Sequence, residues 1–315
     1  MARAKNSALN KAGIVKEDEF YTQLTDIEKE LKYYREQLKG KTIFCNCDDP
    51  DWSNFWLYFK LNFEFLGIKK LISTHFEKDI PSYKLEYDGK EVKQTKLTQN
   101  GDFRSPECIE LLKEADIVCT NPPFSLFHDF LKVLLDNDKK FLIIGSQNNI
   151  TYKDTFPLLR DNKVWLGYYA GDMAFKVPDY YEPRETRFWI DENGQKWRSF
   201  GNMCWFTNLD IKKRHEDLII PFKEYVEGEY KYFDNYDAIF IEKLVDIPVN
   251  YDGVMGVPIT FLYKHNPDKY EIIGLIAGNI KGLAGIPSKI GKDGPYVDGK
   301  LKYGRILIRR KKEEQ

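Results

Sequence analysis

Asn121-Pro122-Pro123-Phe124 is the segment of this chain whose residue types and order point most directly to chemistry. Two consecutive prolines fix φ twice and keep a helix from starting at once, so the turn they make is rigid. Asn121 and Pro122 keep their carbonyl oxygens, and the Asn121 side chain adds an acceptor. Phe124 presents a flat ring just beyond. A rigid set of acceptors beside an aromatic ring suits an exocyclic amine on a planar base, with one amine hydrogen on each acceptor and the ring stacked on the base. Such an amine is a poor nucleophile, because its lone pair is delocalised into the ring. Holding both hydrogens out of plane frees the lone pair. Alignment with a sulfonium methyl then supplies most of the remaining acceleration, by proximity and preorganisation. No general base is strictly needed at the transfer step, since the alkylated nitrogen becomes acidic. A base inside a duplex reaches such a turn only if it is flipped out. The bland alternative is an ordinary turn in which Phe124 and Phe127 anchor a helix start.

The elements around the turn decide between these readings. Lys41–Cys47 reads as a short buried strand, with a helix capped by Ser53 running from Phe55 to a stop at Gly67. Lys69–Phe76 is a second strand, and Asp88-Gly89 marks a hairpin within Tyr83–Leu97. Gly101-Asp102-Phe103 is expected to end a third parallel strand, Ser105–Lys113 to be helical, and Ala115–Thr120 to be the fourth strand, delivering Asn121. A helix from Ser125, a strand at Lys140–Gly145 and a helix around Tyr152–Arg160 follow. A charged helix over Asp26–Leu38 precedes the whole. Short apolar strands alternating with helices predict an α/β domain with a parallel sheet. Beyond residue 160, Val164–Tyr169 and Met203–Thr207 read as strands separated by an aromatic, charged insertion at 171–201.

In open α/β sheets, ligands sit at the carboxyl ends of the strands. Three polar loops qualify: Asn46–Asn54, the segment from His75 to Asp79, and Asn121–Phe124. The loop Cys45–Phe55 lacks a GxGxxG fingerprint, which disfavours a dinucleotide oxidoreductase. Asp48 and Asp49 are candidates to accept from an amino group, and Ser53 or Asn54 at a helix start to hold a carboxylate. Asp102 could accept from an adenine amine with Phe103 on its ring, and Glu77 or Asp79 could take ribose hydroxyls.

Composition limits the rest. The 315 residues carry a net charge of −1, with 42% hydrophobic and 31% charged residues, enough for one large domain with an appendage or for two smaller ones. The basic residues are uneven: Lys281 to Gln315 holds ten Lys/Arg against four Asp/Glu, a local face suited to phosphates. No run approaches a membrane span, and the polar start at residues 1–16 reads as a disordered arm without a secretory h-region. A cytoplasmic protein is expected, with no membrane partner. The five cysteines are odd in number and irregular in spacing, which argues against a disulfide framework and against a metal site.

The motif order resembles the γ class of amino-methyltransferases. Glu19-Phe20-Tyr21-Thr22 resembles the segment that contacts the methionine end of the cofactor. The loop after the first strand, Asp102-Phe103 and Asn-Pro-Pro-Phe then follow in order. Phe200-Gly201-Asn202-Met203-Cys204-Trp205-Phe206-Thr207 resembles the later strand that lines the target-base pocket. More narrowly, CNCDDP, SNFWLYF and NPPF together resemble the EcoRI-type adenine-specific DNA methyltransferases over about residues 15–310.

That resemblance implies a Rossmann-like methyltransferase sheet at 17–210 and a target-recognition region at 211–315. It implies S-adenosyl-L-methionine as cofactor, double-stranded DNA as partner, a monomer, and a cognate restriction endonuclease acting on the same site without direct binding. By position, Asn121, Pro122, Pro123 and Phe124 would take the adenine, with Trp205 or Phe206 on its other side. Tyr21, Thr22, Cys45, Asn46, Asp48, Asp49, Pro50, Ser53, Asn54, Phe55, Glu77, Asp102 and Phe103 would face the cofactor. Arg184, Arg187, Arg198, Lys281 and Lys289 would contact DNA, with surface ion pairs to Glu182 and Glu185 as the alternative for the arginines. RNA adenine, cytosine N4 or a protein glutamine present similar amines, and a non-catalytic DNA binder could share the fold.

Overall fold

The computed structural model describes residues 20–78, 80–278 and 280–312. The arm at 1–16, Glu19 and Asp79 lie outside the described residues. The chain divides into two compact units. One holds the described residues up to Gln147 together with Gly167–Leu209; the other holds Asn148–Leu166 and the chain from Asp210 onward. The stretch 148–166, expected within the first domain, therefore packs with the second.

The first unit is built on one mixed sheet. Its strands are β1 (Tyr21–Thr22), β2 (Thr42–Cys45), β3 (Lys70–Thr74), β4 (Tyr83–Tyr87), β5 (Val92–Lys96), β6 (Ile117–Thr120), β7 (Lys140–Ser146), β8 (Trp165–Lys176, of which Gly167 onward belongs to this unit), β9 (Phe188–Ile190) and β10 (Lys196–Thr207). They lie in the order β1-β8-β10-β7-β6-β2-β3-β4-β5, with β9 paired to β10. The contiguous pairs β3–β2, β2–β6 and β6–β7 are parallel. Strands β2 and β6 are buried at every position, as expected of strands covered on both faces. The hairpin β4–β5 and strand β10 extend the parallel block on either side with antiparallel pairs.

Helices α1 (Leu24–Leu31), α2 (Arg35–Leu38), α3 (Asn54–Leu61), α4 (Phe63–Leu66), α5 (Pro106–Glu114) and α6 (Phe127–Asp136) accompany this sheet. Two of the expected helices are broken. The charged helix at Asp26–Leu38 is split into α1 and α2, and the helix after Ser53 is split at Asn62, whose amide donates to the Tyr58 carbonyl at 2.9 Å and satisfies the end of α3. Gly67, at φ +64°, then stops α4 as expected. Helix α1 is tied to β8 by Glu30. This fully buried carboxylate accepts from the backbone N–H groups of Tyr168 and Tyr169 at 2.8 and 2.7 Å, and from the Tyr34 hydroxyl at 2.6 Å. A Cβ at Gly167 would stand 2.2 Å from that carboxylate, so only glycine fits.

Two further expectations are corrected. Gly101–Phe103 is loop, not strand. Gly101 sits at φ +79°, and a Cβ there would stand 1.9 Å from the His75 carbonyl, so the chain turns sharply under β3 instead of pairing. The Asn121 turn therefore follows the third parallel strand in the chain, not the fourth. About half of the insertion at 171–201 is strand, because β8 and β10, both twelve residues long, run into it from either end and β9 lies between them.

The second unit carries a sheet in the order Ile239–Phe240, Met255–Pro258, Arg305–Arg310, Tyr270–Ile276. Phe233, Tyr236, Val254, Ile276 and Leu307 form a core on it. No described helix is long and apolar enough to cross a membrane. None of the five cysteines, all among the described residues, is in a disulfide, and Cys45, Cys119 and Cys204 lie buried in strands.

Candidate active site

Strand order reverses around β2: the chain runs from β2 to β3 on one side, then returns to β6 on the other. The loops after β2 and β6 therefore leave the same sheet edge side by side, at the crevice where open α/β sheets bind ligands. Thr120, the last residue of β6, ties the two loops together. Its hydroxyl accepts from the Cys47 N–H at 3.3 Å and donates in a very short bond to Asp48 Oδ2. The same carboxylate oxygen accepts from the Asn121 N–H at 3.3 Å. From the other side, Ser73 of β3 donates to the carbonyls of Cys45 and Asp48 at 3.0 and 2.7 Å.

Asn121 is 8% exposed. Its Nδ2 donates to the Phe20 carbonyl at 2.6 Å, while its buried Oδ1 has no donor among the described residues. Pro122 is buried and Pro123 and Phe124 are half-buried. The Phe124 ring stacks on Phe20, centroids 5.0 Å apart and planes 14° apart, with Phe175 and Phe200 edge-on at 5.8 and 5.7 Å. Tyr181 closes the cluster against Phe20.

Asp48 is enclosed on its Oδ2 side, although the residue as a whole is only half-buried. Burial pushes its carboxyl up to about 7, against the pull of bonds from Thr120, Ser53 and the Asn121 N–H; the neighbouring charge of Asp49 adds to the rise. Beside it, both side-chain polar atoms of buried Asn46, and the buried hydroxyl of Thr22, also lack partners among the described residues. Asn54 donates to the Thr22 carbonyl at 2.7 Å, joining β1 to the start of α3, and Ser53 caps that helix through the Phe55 N–H at 3.0 Å. Pro50 is buried within the same loop, and Tyr21 is half-buried on β1.

Around Asp49 the loop is pinned by β3 and β4. His75 Nδ1 lies 2.8 Å from Asp49 Oδ2, and Nε2 lies 3.6 Å from Glu77. The His75 ring stacks on Tyr83, whose hydroxyl donates to Asp51 at 2.7 Å. Glu77 is thus placed at the carboxyl end of β3 as expected.

Several expected contacts are not assembled. Trp205 and Phe206 are fully buried, packed on Phe55 and Phe127 respectively. That half of β10 lies beside β7 in the middle of the sheet, where side chains on both faces enter the core. Phe55, only 1% exposed, belongs to the same core. The ring from β10 that reaches Phe124 is Phe200. Phe103 points into the interior against Phe130. Asp102 is forked by Arg104, which donates through Nε and Nη2 at 2.9 and 2.7 Å. Although burial raises its carboxyl, Arg104 holds it below the usual carboxylate range. The pair borders an open hollow of about 460 Å³ lined also by Gln99, Asn100, Ser105 and Pro106.

Residues missed by the sequence reading are Thr120, Ser73, Phe175, Phe200 and the Phe20 carbonyl. Thr120 carried a signal: a hydroxyl ending an apolar strand directly before the turn. Of the expected DNA contacts, Arg187 pairs with Asp172 at 3.0 Å and not with Glu182 or Glu185. Arg184 lies over Tyr181, and Arg198 lies over Phe200 and donates to the Thr186 carbonyl. Lys281 and Lys289 are exposed on the second unit, Lys289 at 3.5 Å from Asp237. Among the described residues there is no cluster of His, Cys, Asp and Glu that could hold a metal.

The family profile described as adenine-specific methyltransferase EcoRI matches residues 8–311. The chain is 45% identical to Type II methyltransferase M.EcoRI of Escherichia coli over 99% of both chains. It is 40% identical to Type II methyltransferase M.MpnI of Mycoplasma pneumoniae, over 96% of this chain and 98% of that one. Type II methyltransferase M.MgeORF184P of Mycoplasma genitalium is 39% identical with the same coverage. No solved structure gives a significant match. A whole-chain profile match and relatives this similar, on a sheet whose switch point carries an Asn-Pro-Pro-Phe turn, place the chain in the EcoRI family of adenine-specific methyltransferases.

Proposed function

We propose that this methyltransferase moves the methyl group of S-adenosyl-L-methionine to the exocyclic N6 of one adenine in a specific site of double-stranded DNA, taken out of the helix for the reaction. The observation that carries this reading is the buried, donorless Oδ1 of Asn121 beside the half-buried ring of Phe124. A buried acceptor without a donor is costly, and an amine hydrogen answers it.

The unpartnered polar atoms of Asn46 and Thr22 and the enclosed carboxylate of Asp48 fit the amino-acid end of the methyl donor. That donor supplies an activated methyl on a sulfonium sulfur. Asn121 Oδ1 and the Pro122 carbonyl take the two N6 hydrogens, turning the nitrogen lone pair out of the ring plane. Phe124 carries the base plane. No side chain need remove a proton before transfer; afterwards the nitrogen is acidic enough to lose one to solvent. Arg184, Arg187 and Arg198 on the first unit, and Lys281 and Lys289 on the second, are assigned to DNA. Residues 211–315 are assigned to reading its sequence, with the protein acting as a monomer and any restriction endonuclease meeting it only through the shared site. The expected setting is the cytoplasm.

The test is nucleoside mass spectrometry after incubation with duplex DNA and methyl-labelled S-adenosyl-L-methionine. Label in N6-methyladenine is expected. Label in N4-methylcytosine, or only in RNA or protein, would overturn the proposal.

A further inference from the structure

The Asn121 turn provides an acceptor and a ring, and one residue outside it touches both. Phe20, just ahead of β1, accepts from Asn121 Nδ2 through its carbonyl at 2.6 Å and stacks its own ring on Phe124. Phe20 is itself held in place, 8% exposed, with Phe175, Tyr181 and Phe200 edge-on around it.

The polar contact settles which end of the Asn121 amide is free. If the amide were turned over, Oδ1 would face the Phe20 carbonyl oxygen at the distance now taken by Nδ2. Two lone pairs would then oppose each other with no hydrogen between them, in a site without water's screening. The N–H end is therefore committed to Phe20, and the oxygen end is the one left for a donor. The ring contact acts on the other half of the motif: a stacked neighbour on one face and edge contacts from Phe175 and Phe200 hold Phe124 in one plane.

We infer that Phe20 is a positioning residue for methyl transfer, setting the polarity of the Asn121 amide through its carbonyl and the plane of Phe124 through its ring. This rests on the proposed role of Asn121 as acceptor of the adenine amine. The segment Glu19-Phe20-Tyr21-Thr22 resembles a cofactor-contacting motif, with Tyr21 and Thr22 as the expected contacts; that resemblance gives Phe20 no such role.

Asn121→Asp separates the two ends of the amide. An ionised carboxylate keeps an acceptor but loses the donor, and turns an oxygen on the Phe20 carbonyl. A protonated carboxyl has nearly the shape of the amide, its O–H donating to Phe20 and its C=O left free. The rate of the variant relative to wild type should therefore rise as pH falls. We expect kcat to be lower by about 10²-fold at roughly pH 8.5, with at least about tenfold of that recovered near pH 6. Asp48, from the loop after β2, contacts the turn through the Asn121 N–H; Asp49 and the thiols of Cys45, Cys47 and Cys119 lie near Asp48, and Tyr181 lies against Phe20. The more distant groups act in both proteins and drop out of the ratio at each pH; Asp48 couples directly to a carboxylate at position 121, so the ratio is also measured in an Asp48→Asn background, where the rise towards low pH should persist.

Phe20→Leu tests the ring separately, and does not depend on the Asp variant folding. It keeps the carbonyl and an apolar side chain, smaller than the ring, but loses the stack. It should lower kcat about tenfold with KM for DNA within about threefold, because the loss falls on alignment and not on uniform binding. A pH-independent ratio for Asn121→Asp, or an unchanged kcat for Phe20→Leu, overturns the corresponding half of the inference. Failure of the underlying reading looks different: wild-type protein would then put no label on adenine N6.

Discussion

The turn after β6 and the loop after β2 leave neighbouring strands at the same edge, yet they are held in opposite ways. The turn is stiffened by its own covalent chemistry. Two prolines set its course, and it borrows a carboxylate from Asp48 and a carbonyl from Phe20. The loop has a single proline, Pro50, and is shaped from outside, by Ser73 from β3, Thr120 from β6, His75 beyond β3 and Tyr83 from β4. A locally rigid segment is suited to presenting fixed acceptors to a reacting atom. A loop held by tertiary hydrogen bonds is suited to enclosing charge, and Asp48 shows the consequence in its raised carboxyl.

This contrast predicts that changes in the turn fall on the chemical step and changes in the loop on donor binding. The largest effect should come from Asn121→Ala, with kcat lowered by about 10³-fold while affinity for S-adenosyl-L-methionine stays within about threefold. Label-transfer kinetics beside calorimetry measure the two. Equal losses in both would erase the distinction between the loops.

A smaller effect should come from Asp48. Its native carboxyl, near 7, lies above the unfolded value, so the native state holds the extra proton and stability falls as pH rises from about 4 towards 7. Ionised Asp48 attracts the ammonium of the donor, so donor affinity should rise with pH over the same upper range, by up to about tenfold per pH unit. Asp48→Asn should bind the donor more weakly above about pH 7 and lose this dependence, with kcat at saturation changed far less. Calorimetric titration from acid to neutral pH decides; a donor affinity that is flat in wild type contradicts the role given to Asp48.

The smallest effect belongs to neither loop. Arg184→Gln and Arg187→Gln should each weaken DNA binding uniformly across sequences and lower the salt slope by about one, leaving donor affinity untouched. A slope that does not move would return these arginines to the surface ion pairs and ring contacts they make here.

The same contrast explains what could be read before the structure. The parallel strands and the β4–β5 hairpin were visible because each is marked by residues within it: apolar runs, Asp88-Gly89, and the stop at Gly67. The break of the long helix at Asn62 was not, because it turns on one side chain capping Tyr58. Gly101–Phe103 reads as a strand end on pattern alone, until the His75 carbonyl is seen where a Cβ would stand. Along β10, Trp205 and Phe200 are both aromatic residues on one strand. Only the neighbour β7 makes the first a core residue and leaves the second beside Phe124.

By itself the sequence determined the α/β class, the Asn-Pro-Pro-Phe turn and the chemistry its acceptors suit, because proline geometry and short apolar strands act over a few residues. Tertiary structure alone decided which aromatic residues meet that turn, that Thr120 joins it to Asp48, and that Phe20 turns its amide. Those contacts span separations of up to about a hundred residues. Nothing in a local pattern specifies which distant backbone carbonyl a buried side chain will find; that depends on strand order and register, and on the need to satisfy polar groups once they leave water.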